Sequence, residues 1–339
     1  MTDPKHWFRA AEPLTYTTRA DRLETVHGGH CSVVDGATGR EVLSLGDPSL
    51  TAFPRSSLKF IQGLAMVETG AADAFALDQR HLSLGCASHF GETGHVELVR
   101  SWLRHIKCEE SDLVCGPAFP MLEGDRDAAV AAGQSKSRSH HNCSGKHTGF
   151  LTVCQHQGWT TEDYDDPAHP SQRRFQGVLA ELTGLEQSDI GWGIDGCALP
   201  TATLPVTSMA RALASFAVAQ NDTARGQAQL RLLDAVAAQP WYLAGTADFA
   251  PELARVTQGR IVAKGGADGY FVAAIRDKGW GLALKTLDGS TVVVAAALYG
   301  VLNRLNLLSE DEKTALAPFA LKPVLNSSGT EVGHWYTVS

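Results

Sequence analysis

No stretch of these 339 residues approaches the run of about 18 uninterrupted apolar positions that a membrane-spanning helix needs. Nor does any run of Lys and Arg reach the density of a phosphate-tracking stripe. With 29 basic against 37 acidic residues and a net charge of −8, nucleic acid and membrane surfaces are not expected partners. There is no C-x-x-C pair, and the seven cysteines (31, 86, 108, 115, 143, 154 and 197) are an odd set in a long chain. A disulfide framework is therefore a poor reading, and most of these thiols are expected reduced in the core. No internal repeat, low-complexity tract or linker interrupts the chain. The start, Asp3-Pro4-Lys5-His6-Trp7, has neither a basic leader nor an apolar stretch, so a soluble, cytoplasmic protein is expected.

What remains is a globular composition, 44% apolar and 19% charged, enough to bury roughly three quarters of the unfolded surface. Glu24 to Asp35 and Glu41 to Leu45 flank the turn residues Gly36 to Gly39, which reads as a β-hairpin. From Ser56 to Thr69 the spacing turns helical. Further helices are expected over 93–106, 126–132, 144–155, 172–182, 205–219 and 224–239. Strands follow at 260–263, 270–276 and 281–286, then an apolar helix at 291–307 and one more strand within 329–338. Strands at both ends around a helical middle predict an α/β (α+β) chain whose antiparallel sheet is built from both chain ends. The expected parts are 1–55 with 255–339 for the sheet and 56–254 for the helices, with the site in a cleft between them.

Pro54-Arg55-Ser56-Ser57-Leu58-Lys59 sets a hydroxyl and an amine three residues apart at a helix start, hence on one face. A lysine whose pKa is lowered can serve such a serine as base. On the tetrapeptide alone, a capping Ser followed by a solvated Lys accounts for the pattern as well. Lys264-Gly265-Gly266, between two expected strands, has the place though not the letters of the K-T-G element that accompanies S-x-x-K in serine acyl-transfer enzymes. There the glycine lets a substrate lie along the strand. Gly85 to Gly91 forms a small-residue loop able to expose Ser88 and aim backbone N–H groups at it. His140 to His147 holds three His, Cys143 and Lys146, and Gly193 to Cys197 adds a second Cys beside Asp195; a zinc site is one reading, without support from any C-x₂-C spacing. Gly191 to Gly196 fits G-x-G-x-x-G formally, but Pro200 and Pro205 prevent the helix that a dinucleotide site requires.

Taken in order and spacing over residues 20–335, the motifs at Pro54–Lys59, Ser88, His141–His147, Gly193–Cys197 and Ala263–Gly269 resemble the rhizobial-type L-asparaginase family. The resemblance implies a fold like that of serine β-lactamases, penicillin-binding proteins and serine glutaminases, a homodimer, and hydrolysis of L-asparagine to aspartate and ammonia. Carried over by motif, Ser56 with Lys59 is the first Ser-Lys pair and Ser88 with Lys264 the second. The family's zinc falls on Cys143, Lys146 and Cys197, with His147 as the alternative nitrogen ligand and a positional or structural role expected for the metal. The β-lactamase threonine is missing, which argues against β-lactam hydrolysis.

Asparagine needs a nucleophile for its amide, an anion for its α-ammonium and a cation or donors for its α-carboxylate. Asp195 is assigned to the ammonium, and Arg55 with His147 to the carboxylate. Ser56 attacks with neutral Lys59 as base, while Ser88 and Lys264 relay protons and lower the Lys59 pKa by like charge. No N-terminal Thr-Gly-Gly-Thr is present. Gly329-Thr330 lies too late in the chain to release a catalytic fragment, and Gly245-Thr246 is expected inside a helix. Two alternatives stay open: a serine glutaminase or penicillin-recognising hydrolase of the same fold, and a non-catalytic, zinc-stabilised amino-acid-binding protein.

Overall fold

A computed structural model describes residues 3–338. The chain divides into two compact units, one formed by residues 1–57, 203–218 and 247–339, the other by 58–202 and 219–246. The expected boundaries are corrected at 203–218. The helix Val206–Ala217 goes with the sheet because it packs on Arg22–Asp35 and Trp280–Thr286, and Gly36 and Gly281 lie so close to its backbone that a Cβ at either would collide with it.

In the sheet unit the strands run Trp335–Thr337, Glu12–Arg19, Arg22–Asp35, Trp280–Thr286, Tyr270–Ile275, Ile261–Gly266, with Glu41–Leu45 also pairing with Arg22–Asp35. All neighbours are antiparallel, with Gly29 opposite Thr286 and Lys264 opposite Val272. The expected antiparallel sheet from both chain ends is present. Tyr270–Ile275 is buried at every residue, so both of its faces are covered; the helices Val206–Ala217 and Thr291–Arg304 pack on it. The hairpin at 24–45 and the three late strands stand where the alternation places them. The first strand, Glu12–Arg19, and the helices Phe249–Val256 and Glu310–Ala320 had no clear sequence signal.

The helical unit is built around Ser144–Gln157, whose residues Ser144 to Cys154 are all buried. A helix enclosed on every side loses the usual apolar stripe, and here small residues permit the enclosure. A Cβ at Gly145 would strike the Leu84 carbonyl, and one at Gly149 would come within 2.8 Å of Met66 Sδ. Around it pack Lys59–Glu68, Gln79–Gly85, Thr93–His105 and Pro170–Thr183. Glu68 accepts from both Arg174, at 2.8 Å, and Arg225, which ties three helices together. Gly245-Thr246 lies in a turn, not a helix, held by bonds from Thr246 to the Glu92 carboxylate at 2.6 and 2.8 Å. None of the seven cysteines forms a disulfide, and all are buried. No helix among the described residues is long and apolar enough to cross a membrane.

Candidate active site

Within the helical unit the folding of separate segments gathers Lys59, Ser88, Cys143, Lys146, His147, Asp195 and Cys197. Lys59 is the first residue of its helix and has no exposed surface. Its amine donates to the Ala87 carbonyl and, at 2.9 Å, to Ser88 Oγ. Burial, together with the Lys146 ammonium, lowers its pKa against the opposing pull of Cys143.

Ser88 sits in the loop after Gln79–Gly85, and that loop is pinned. The N–H groups of Ser88, His89 and Phe90 donate to Leu243, Asn142 and Ala244 carbonyls at 2.9, 3.1 and 2.7 Å. The expected aiming of loop N–H groups at Ser88 is thus corrected: these donors are already used to fix the loop. His89 Nδ1 accepts from the Gly91 N–H at 3.1 Å, so its proton lies on Nε2 and is donated to Ser144 Oγ at 2.8 Å.

Cys143, Lys146 and Cys197 meet at the start of Ser144–Gln157. Lys146 Nζ lies 2.9 Å from Cys197 Sγ, and the Cys197 thiol lies 3.4 Å from Asp195 Oδ2. A hydrogen bond from Cys197 outweighs burial and, with Lys59 and Lys146 nearby, holds Cys143 well below the usual thiol range. The same bond and burial raise Cys197, so one proton is shared by two sulfurs. Burial alone would lower the Lys146 pKa, but Cys197, Cys143 and Asp195 reverse it and raise it. Asp195 also accepts from the Gly196 N–H at 2.9 Å. Among the described residues no group of three His, Cys, Asp or Glu is placed to hold a metal; the expected set offers two thiols and one amine. That donor set, soft, buried and carrying a displaceable proton, fits zinc.

In the sheet unit, Ser56 is half-buried on the helical turn Arg55–Leu58, and Lys264 is buried on the strand Ile261–Gly266, its amine donating to the Gly265 carbonyl. Ser57, which the sequence did not single out, donates to the Lys264 carbonyl at 3.1 Å. A Cβ at Gly266 would strike the Pro54 carbonyl and come within 2.8 Å of Ser57 Oγ. The glycine expected to admit a substrate along this strand therefore admits the chain's own turn. Arg55 departs from expectation in the same way: at φ +53° it is left-handed, and its guanidinium pairs with the exposed Asp268 at 2.7 Å. Asp268 follows the K-G-G element by two positions, which is its only sequence signal.

Tyr164 was also missed. Its hydroxyl lies 2.6 Å from His147 Nδ1, and both side chains are fully buried. No local pattern marks it.

Comparison with known proteins places these residues in context. The family model for L-asparaginase II matches residues 15–337. A search among curated proteins finds no match. Among solved structures, Mglu in its native form in 4.3 M NaCl aligns over 83% of this chain and 61% of its own, at 15% identity and a TM-score of 0.45. The chain thus spans about three fifths of that protein's length. A Bacteroides dorei protein assigned to the beta-lactamases aligns over 81% and 93% at 11% identity and 0.43. The octameric penicillin-binding protein homologue from Pyrococcus abyssi aligns over 86% and 75% at 11% identity and 0.33. Scores below 0.5 carry no argument about activity. The family match, in contrast, covers nearly the whole chain and contains every motif assembled above: this protein belongs to the L-asparaginase II family.

Proposed function

We propose that the chain hydrolyses L-asparagine to aspartate and ammonia through a serine activated by a buried lysine. The observation that carries the reading is the 2.9 Å bond between Lys59 Nζ and Ser88 Oγ, made by an amine that burial pushes toward its neutral form. Ser56 attacks the side-chain amide carbon and neutral Lys59 takes its proton. The C–N bond then breaks, the proton leaves with ammonia, and water hydrolyses the resulting ester to aspartate. Ser88 and Lys264 serve as the second pair, moving protons. Asp195 receives the α-ammonium, and His147 with Arg55 the α-carboxylate, Arg55 being shared with Asp268.

Cys143, Lys146 and Cys197 would hold the zinc, for which Lys146 must release its proton. When bound, the ion supplies fixed positive charge and rigid placement of the helix start. The same Lys59–Ser88 bond favours a second reading in which Ser88 is the residue acylated. Ammonia release by Ser56→Ala and Ser88→Ala, with mass mapping of the aspartyl adduct, separates the two.

The function itself is tested with asparagine, glutamine and a chromogenic β-lactam in parallel. A site holding both α-substituents has little room for one more methylene, so asparagine should be turned over far better than glutamine. Equal kcat/KM for both amides would make the protein a glutaminase. Amino acid binding without ammonia release would make it a binding protein. On this reading the enzyme is cytoplasmic and works as a homodimer, which sedimentation in solution measures.

A further inference from the structure

We infer that Tyr164 is a positioning residue that fixes His147 as the neutral imidazole with its proton on Nε2, a hydrogen-bond donor and not a metal ligand. The inference rests on hydrogen-bond accounting. The Tyr164 oxygen has two partners among the described residues: the Val114 backbone N–H at 3.0 Å and His147 Nδ1 at 2.6 Å. A backbone N–H only donates, so the phenol's own proton has one acceptor, Nδ1. If Nδ1–H donated instead, the phenolic proton would be left buried without a partner, a cost that native interiors avoid. With Nδ1 accepting, the single imidazole proton lies on Nε2. That atom is enclosed and has no partner in the protein. The Tyr164 ring meets the His147 ring edge to face, at 5.7 Å between centroids and 77°, so the orientation is fixed by packing as well as by the bond.

A nitrogen that carries a proton cannot offer a lone pair to zinc. The geometry therefore separates the two roles open to His147: it leaves the metal to Cys143, Lys146 and Cys197 and reserves an N–H for an incoming acceptor. In the proposed function that acceptor is the substrate's α-carboxylate, and this part of the inference rests on that assignment.

The test begins with the purified protein labelled with ¹⁵N in histidine. Long-range ¹H–¹⁵N spectra should show His147 protonated on Nε2 and bare on Nδ1. A proton on Nδ1 in the parent overturns the inference, whatever the activity. In Tyr164→Phe the proton should shift wholly or partly to Nδ1, and KM for asparagine should rise about ten-fold with kcat within about two-fold, the scale of one hydrogen bond to a charged group. An unchanged tautomer in this variant also overturns it. Should Tyr164→Phe not fold, the parent spectrum decides alone. His147→Gln, whose amide N–H₂ stands near the Nε2 position, should recover affinity that His147→Asn does not. A tautomer that shifts while KM stays put supports the role of Tyr164 and removes His147 from the substrate.

Discussion

Lys59 and Lys146 are both enclosed in the helical unit, and their charges are governed in opposite directions. Lys59 faces a carbonyl and a hydroxyl, and burial lowers its pKa. Lys146 faces two sulfurs sharing one proton, with Asp195 beyond them, and its pKa rises despite equal burial. Depth alone thus does not set the protonation of a buried amine; whether a neighbour bears negative charge does. One lysine is prepared to act as a base and the other to remain an ammonium until a metal displaces its proton.

The strongest way to break this contrast is to remove each amine with Met, which keeps the length. Lys59→Met should lower kcat for asparagine by about a thousand-fold or more, the scale of losing a general base together with its proton path. Lys146→Met should keep most of that rate and lose metal affinity instead; the reverse pattern in a steady-state ammonia assay would exchange the two roles. Asp195→Asn comes next. Losing the partner of a desolvated α-ammonium costs about 2–5 kcal/mol in kcat/KM, whereas a solvated turn aspartate would leave it near parental.

The metal arm sharpens the contrast further. Purified protein should carry about one zinc per chain, and Cys143→Ser with Cys197→Ser should lose it while Lys59→Met retains it, as metal analysis will show. Zinc kept by the double variant would move the site elsewhere.

The smallest effect extends the rule to a carboxylate. Burial raises the Glu110 pKa, but the Ser139 backbone N–H, Ser137 and Arg100 more than reverse this and bring it to about 2. A carboxyl whose folded pKa is depressed stabilises above its unfolded value near 4.3 and loses that stabilisation as pH falls toward 2. Glu110→Gln should therefore unfold about 1 kcal/mol more easily at pH 7, after discounting for partial exposure, and the gap should close below about pH 4. A gap independent of pH in urea titrations would assign the loss to packing.

The sequence made the chemistry legible where residues act through spacing. Ser56 and Lys59 are three apart, Cys143 and Lys146 likewise, and the late strands alternate clearly. It was silent where the contact is made in three dimensions. Tyr164 reaches His147 from another segment, Ser57 reaches Lys264 across the length of the chain, and Arg55 looks like a free cation until Asp268 is seen to hold it. Gly266 misled for the same reason, since a glycine announces a close approach without saying what approaches. Glu12–Arg19 escaped notice because its inward residues, Leu14, Thr15 and Thr17, include two threonines, which blur the alternation.

The order of the sheet has a consequence for how this protein is made. Arg22–Asp35 leaves the ribosome early, but its neighbour Trp280–Thr286 and the outer strand Trp335–Thr337 are translated only after the whole helical unit. At about 5–20 residues per second, the hairpin waits on the order of ten seconds to a minute with an unpaired edge. Translation speed and the chaperones met in that interval, more than the final stability of the fold, should govern how much of the chain is recovered intact.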